Sequence, residues 1–108
     1  MPVFSVVVPA YNAASTLRET IEAVLAQEFQ DWELIVVDDG STDDTLRIAE
    51  GYASRDPRVR VLTQENRGSA GAYNTGAATA IGDLITICSA DDLLLPDHLR
   101  EMDALIHA

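Results

Sequence analysis

Four short apolar runs punctuate the chain, and each is followed by a segment whose apolar residues recur at helical spacing. Val3-Phe4-Ser5-Val6-Val7-Val8 is almost continuously apolar, as a strand covered on both faces should be. Trp32-Glu33-Leu34-Ile35-Val36-Val37 repeats the pattern, and Val59-Arg60-Val61-Leu62 is a shorter version. Leu84-Ile85-Thr86-Ile87, bounded by Gly82-Asp83, reads as a fourth, buried strand. Pro9 is expected to end the first strand, because proline has no N–H for a ladder. Between the strands, Ala14, Leu17, Ile21, Val24 and Leu25 face one way and Arg18, Glu19 and Glu22 the other, which predicts a helix from Ala14 to Gln27. Ser41-Thr42-Asp43-Asp44 opens a second helix, with Ser41 as cap and Asp44 as the shortened acid of a capping box. Its inward residues are Leu46, Ala49 and Ala53, and Asp56-Pro57 closes it. From Ala70 to Ala80 nearly every residue is small, so a helix there needs tertiary support and close backbone packing. Pro96 opens a last helix with Leu99, Met102, Leu105 and Ile106 inward and His98 and His107 on its surface.

Strand and helix alternate four times, which specifies an α/β fold with a parallel sheet and right-handed crossovers. At 108 residues the chain makes a single domain. Its formal net charge is −11, and all seven cations are arginines. That leaves no basic face for nucleic acid or for an anionic membrane surface. A phosphate ligand would have to be met by a metal ion, by arginine or by backbone N–H groups. Cys88 is the lone cysteine, which rules out an internal disulfide and fits a reducing, cytoplasmic compartment. The run Val3 to Val8 is too short and lacks the basic leader of a signal peptide, and no stretch approaches the ~20 apolar residues of a membrane span. A full-length protein that includes these residues is compatible with membrane association through other segments.

Chemistry gathers where the strands end. Tyr11-Asn12 follows the first strand, Asp38-Asp39 the second and Asp91-Asp92 the fourth. Ligands of parallel α/β sheets bind outside the carboxyl ends of the strands, at the point where strand order reverses. With the order 3-2-1-4, Tyr11 and Asp91 face each other across a crevice and Asp39 lies on its flank. An aromatic ring offers a base a stacking face. A carboxylate accepts from a base N–H or a ribose hydroxyl, and hard carboxylate oxygens suit Mg²⁺ or Mn²⁺. Each group also has a plain structural reading. Tyr11 can be a packed aromatic, Asp38 a turn residue, Asp43 and Asp44 acids at a helix start, and Asp91-Asp92 a solvated turn.

Four separated motifs, in register over essentially the whole chain, resemble the family 2 glycosyltransferases of the GT-A fold. They are Phe4-Ser5-Val6-Val7-Val8-Pro9-Ala10-Tyr11-Asn12, Val36-Val37-Asp38-Asp39-Gly40-Ser41-Thr42-Asp43, Asn66-x-Gly68 with Asn74-x-Gly76, and Ala90-Asp91-Asp92 with Pro96. The resemblance implies a Rossmann-like GT-A nucleotide-binding half. It further implies an inverting transfer of sugar from a nucleotide diphosphate donor, often UDP-linked, to a hydroxyl of a saccharide or lipid-linked acceptor. It places Pro9, Ala10, Tyr11, Asn12, Asp38, Asp39, Gly68, Asn74, Ala90 and Asp91 at the nucleotide, with Pro9, Tyr11 and Asp39 at the base. Asp91 and Asp92 would ligate a divalent metal, Mn²⁺ or Mg²⁺, with Asp91 preferred.

Two departures from the family pattern matter. Ser89 stands where members often carry an acid, and Tyr73 where they often carry a cation. The second makes the metal more necessary. In this family the general base comes from the second half of the domain, so residues 1–108 are expected to be the donor-binding part of a transferase cut short before its acceptor half. Apolar surface left bare by that cut favours self-association. A dinucleotide oxidoreductase is excluded by Pro9-Ala10-Tyr11-Asn12, which is no glycine-rich turn. A phosphoacceptor signalling domain, or a non-catalytic binding or assembly domain of the same fold, are the alternatives; the first lacks its lysine here.

Overall fold

The computed structural model describes residues 2–106, so His107 lies outside the described residues. The four apolar runs become strands β1 (Phe4–Ala10), β2 (Trp32–Asp38), β3 (Val59–Thr63) and β4 (Leu84–Ile87). They form one parallel sheet in the order β3-β2-β1-β4, the α/β arrangement expected from the alternation. Helices α1 (Leu17–Leu25), α2 (Thr45–Ala53) and α3 (Gly68–Thr79) fill the three crossovers, and α4 (His98–Ile106) follows β4. Phe4, Val6 and Val8 of β1 join Leu34 and Val36 of β2 against Leu17, Ile21, Ala49 and Leu99 on one face. Val7, Ile35 and Val37 meet Ala72 of α3 on the other. Both faces of β1 and β2 are thus covered, which is why these strands read as unbroken apolar runs.

The small-residue segment does form a helix, and its support is the sheet. A Cβ on Gly76 would lie 2.5 Å from Val7 Cγ1 and 3.1 Å from Val37 Cγ2, so α3 rests with its backbone almost on the strands.

Several local expectations give way to long-range contacts. β1 runs through Pro9 to Ala10. The Val7 carbonyl accepts from Cys88 N beside β4 and the Ala10 carbonyl from Asp39 N beside β2. Alternation turns Pro9 towards the β4 side, where no ladder with β2 is lost. Helix α1 begins at Leu17 rather than Ala14, because Ala13 N and Ala14 N are taken by the side chains of Thr45 and Asp43. The capping box does not form: Ser41 Oγ accepts from Asn12 N, and α2 starts at Thr45 with no side-chain cap bond from Asp44.

β4 is not a buried strand. It is the sheet edge, with Ile85 44% and Ile87 55% exposed on the α3 side. In α4 only Leu99 is buried and Met102 half-buried, while Leu105 and Ile106 face outward. His98 is half-buried rather than a surface residue.

Candidate functional site

β1 and β4 separate where Pro9 withholds the N–H that would extend their ladder past Cys88. The separation opens a cleft of about 530 Å³ at the carboxyl ends of the strands. On one wall stand Pro9, Tyr11, Asn12 and Thr16, and on the other Ile87, Ser89, Ala90 and Asp91. Ser69, from the first turn of α3, lines it as well. The Tyr11 side chain is 51% exposed, so its ring is offered rather than packed away.

Asn12 holds the Tyr11 wall in place. It adopts φ +48°, a conformation asparagine tolerates better than most residues. In it Asn12 Oδ1 accepts from Thr42 N at 2.8 Å while Asn12 N donates to Ser41 Oγ at 2.9 Å. Asp43 completes the clamp, accepting from Ala14 N, Thr45 N and Thr45 Oγ1. The Thr45 hydroxyl leads these interactions in holding the Asp43 carboxyl below its ordinary pKa. Asp43 therefore meets the first N–H of α2, as expected of an acid at a helix start, and ties that end to the loop after β1.

Asp38 and Asp39 are brought to the end of β2 but not into the cleft lining. Asp38 is buried, and its Oδ1 accepts from Ser41 N at 3.3 Å. Asp39 is 3% exposed and fully engaged: Oδ1 accepts from Gln64 Nε2 at 2.8 Å and Arg67 N at 2.9 Å, and Oδ2 from Gly68 N at 3.0 Å. Burial pushes its pKa up, but these donors and the Arg67 charge outweigh it and leave the carboxyl below the usual aspartate value. Asp39 thereby caps α3 from across the fold, and α3 carries Ser69 to the cleft. Gly68, with φ +84°, makes the turn into that helix. Asn74 sits on the exposed side of α3, outside the lining, and Ala10 is buried at the strand end.

At the end of β4 the two acids part ways. Asp91 is exposed and lines the cleft. Asp92 closes its own turn: its N–H donates to the Ser89 carbonyl at 3.0 Å and its Oδ2 accepts from Ser89 N at 3.1 Å. The Cys88 thiol beneath is pushed up to about 11 by burial and then by the charges of Asp92 and Asp91, so at neutral pH it is protonated and inert. Among the described residues no three His, Cys, Asp or Glu side chains converge as a metal-holding group. The chain offers one free carboxylate and one half-committed neighbour. That fits a Mg²⁺- or Mn²⁺-type ion completed by phosphate oxygens and water, not a protein-enclosed ion.

Ser15, Thr16 and Ser69 line the cleft but went unremarked in the motifs, since nothing in their local pattern separates a cleft hydroxyl from a solvated one.

Residues 5–108 match the sequence profile described as Glycosyl transferase family 2. The chain is 48% identical over 91 residues to glycosyltransferase GlyG of Streptococcus pneumoniae, covering 83% of this chain and 30% of that protein. It is 40% identical over 97 residues to chondroitin synthase of Escherichia coli, covering 90% of this chain and 14% of that one. The crystal structure of S. aureus TarS 1-349 superposes with a TM-score of 0.90 at 32% identity over 99% of this chain and 32% of that one. TarS in complex with UDP-GlcNAc gives a TM-score of 0.82 at 30% identity, over 99% of this chain and 31% of that one. The mannosyltransferase PcManGT from Pyrobaculum calidifontis, in complex with GDP-Man and Mn²⁺, gives 0.79 at 31% identity, over 96% of this chain and 31% of that one. The chain thus spans about a third or less of each of these proteins.

Proposed function

The chain belongs to glycosyl transferase family 2, and we propose that it is the donor-binding part of an inverting transferase that passes a sugar from a nucleotide diphosphate, UDP foremost, to an acceptor hydroxyl. The observation that carries this reading is the cleft between β1 and β4, with the exposed Tyr11 ring on one wall and the Asp91 carboxylate on the other. The ring suits a base, and the carboxylate suits the metal–diphosphate end. The nucleotide sugars named in the TarS and PcManGT complexes support the same ligand class.

In this reading Pro9, Tyr11 and Asn12 shape the base side, and Ser89 and Ala90 flank the ribose and diphosphate. Asp38, Asp39 and Gly68 belong to the nucleotide site chiefly by what they hold in place, and Asn74 is assigned to it by the family motif. Asp91 is the principal metal ligand, and Asp92 has one oxygen, Oδ1, left for the ion. A bound Mn²⁺ or Mg²⁺ would offset the diphosphate charge, which a chain of net charge −11 is poorly equipped to do alone. Activation of a saccharide or lipid-linked acceptor calls for a general base. The reading assigns that base and the acceptor side to the remainder of a longer protein, in keeping with the share of its relatives that this chain spans. A protonated, buried Cys88 suits a cytoplasmic setting, and no helix among the described residues is long and apolar enough to cross a membrane.

Calorimetric titration of UDP and GDP, each with Mn²⁺ and with EDTA, tests the proposal. UDP binding that is strengthened by Mn²⁺ and loses that gain in Asp91→Ala is the expected result. Failure of both nucleotides to bind in the presence of Mn²⁺ would sink it.

A further inference from the structure

Helix α1 grips the acidic segment at both ends. At the near end, Thr16 Oγ1 and Thr20 Oγ1 both donate to the Ala90 carbonyl, at 2.9 and 2.8 Å. At the far end, Gln27 is buried, its Nε2 donating to the Leu95 carbonyl at 2.7 Å and its Oε1 accepting from Leu99 N at 3.0 Å. Glu28 N donates to the Pro96 carbonyl at 2.7 Å beside it.

Both threonines make only long local bonds, Thr16 Oγ1 to the Ala13 carbonyl and Thr20 Oγ1 to the Thr16 carbonyl, each at 3.4 Å. Thr16 is the N-cap residue of α1, where threonine ordinarily bonds the helix N–H groups, yet its side chain makes no cap bond. Thr20 is buried inside the helix, where a β-branched hydroxyl residue is a mediocre helix former. Each makes its shorter hydroxyl bond to a carbonyl 70 or more residues away in sequence. A carbonyl oxygen has two lone pairs, so the two donors saturate it. That oxygen belongs to the planar peptide joining Ala90 to Asp91. Fixing it fixes the plane from which the Asp91 Cα departs.

Resting on the donor-site reading above, we propose that Thr16 and Thr20 are positioning residues that aim the Asp91 carboxylate into the cleft for a divalent cation, with Gln27 anchoring the far end of the same segment. Neither threonine touches the ion in this arrangement. Groups that orient a ligating carboxylate govern affinity for the metal rather than for the rest of the ligand.

The test is UDP titration with Mn²⁺ and with EDTA on Thr16→Val/Thr20→Val, on Thr16→Ser/Thr20→Ser and on the single Thr20→Val, each with its melting temperature. Removal of groups that orient a metal ligand typically weakens the metal by 10- to 100-fold, so the double valine protein should lose about tenfold of the Mn²⁺-dependent gain in UDP affinity. Thr16 lines the cleft and Thr20 does not, so the metal-free comparison falls to Thr20→Val, whose affinity in EDTA should stay within about twofold, since a merely structural role would move both arms alike. The double serine protein should keep the gain. Should the double valine protein not fold, Thr20→Val, which retains the Thr16 donor, should show a smaller loss confined to the Mn²⁺ arm. A gain that survives in both valine variants, or an equal loss in both arms, overturns the positioning role alone. Wild-type UDP binding without any Mn²⁺ gain removes the metal from the donor-site reading and this role with it. Absence of UDP binding altogether overturns both.

Discussion

Asp39 shows how much a single carboxylate can hold. Its three donors come from Gln64, Arg67 and Gly68, and Gln64 Oε1 in turn accepts from Thr75 Oγ1 inside α3. Asparagine at position 39 would place an N–H₂ group where an acceptor is required. Asp39→Asn should therefore lower stability by roughly 2–3 kcal/mol, the worth of a lost charged hydrogen bond plus an unmet donor, read from urea unfolding. The pH dependence follows from the sign of the shift. Asp39 and Glu33 both have carboxyl pKa values below their unfolded ones; for Glu33, burial is outweighed by donors from Ile81 N, Ser5 Oγ and Arg60. A depressed folded pKa contributes stability above the unfolded value and loses it as pH falls through the folded one. Stability should hold near neutrality and begin to drop below about pH 4.5, the ordinary glutamate value. In Asp39→Asn that acid limb should be shallower. The acidic pair after β2 stood out in the sequence, but the partners of Asp39 lie 25 to 29 residues away and leave no local trace. Asn12 is similar: a turn residue by composition, whose φ of +48° and grip on Thr42 emerge only when two loops meet.

At the scale of elements, the hydrophobic pattern carried the strands and helices α1, α2 and α4, while the order of the sheet went with the resemblance to a Rossmann-like fold and α3 was legible only as a small-residue segment in need of support. The pattern failed where tertiary contacts recruit a terminus. The expected Ser41–Asp44 cap dissolved because Asn12 N captures the Ser41 hydroxyl, and α1 lost its first turn to Thr45 and Asp43. The buried reading of β4 failed because an apolar run does not tell a central strand from an edge. Helix α3 offers a test of opposite signs with one chemical change. Gly76→Ala would drive a Cβ to 2.5 Å from Val7 Cγ1, and overpacking of this kind costs roughly 1–3 kcal/mol. Gly51, in the middle of α2, has only the flexible end of Arg55 within reach, at 3.8 Å. Gly51→Ala should raise stability by about 0.5–1 kcal/mol through helix propensity and reduced freedom of the unfolded chain. Thermal melts should thus move down for the first and up for the second. Equal shifts in the same direction would contradict the close seating of α3 on the sheet.

For the whole molecule, the covered and uncovered surfaces oppose each other. The sheet has two edges, β3 and β4, and it is along β4 that large apolar side chains are bare: Ile85 and Ile87 stand exposed beside the equally exposed Ile81 on the connection from α3. An open edge with apolar neighbours is a template for pairing, and its burial would be worth about 25 cal/mol per Å² of apolar area. A net charge of −11 works against two copies meeting, and with seven arginines the chain has little with which to offset it. Salt decides between the two terms, because the Debye length falls from about 30 Å at 0.01 M to about 8 Å at 0.15 M. Sedimentation should then show a monomer at low ionic strength and concentration-dependent association at physiological salt. Ile85→Lys should suppress that association by placing a charge on the edge, without entering the cleft. Nucleotide binding should be unaffected by the substitution, since the donor cleft lies at the carboxyl ends of the strands and the bare isoleucines at 81 and 85 lie outside its lining. Association that weakens as salt is added would instead assign the contact to charge pairs and leave the isoleucine edge without a role in it.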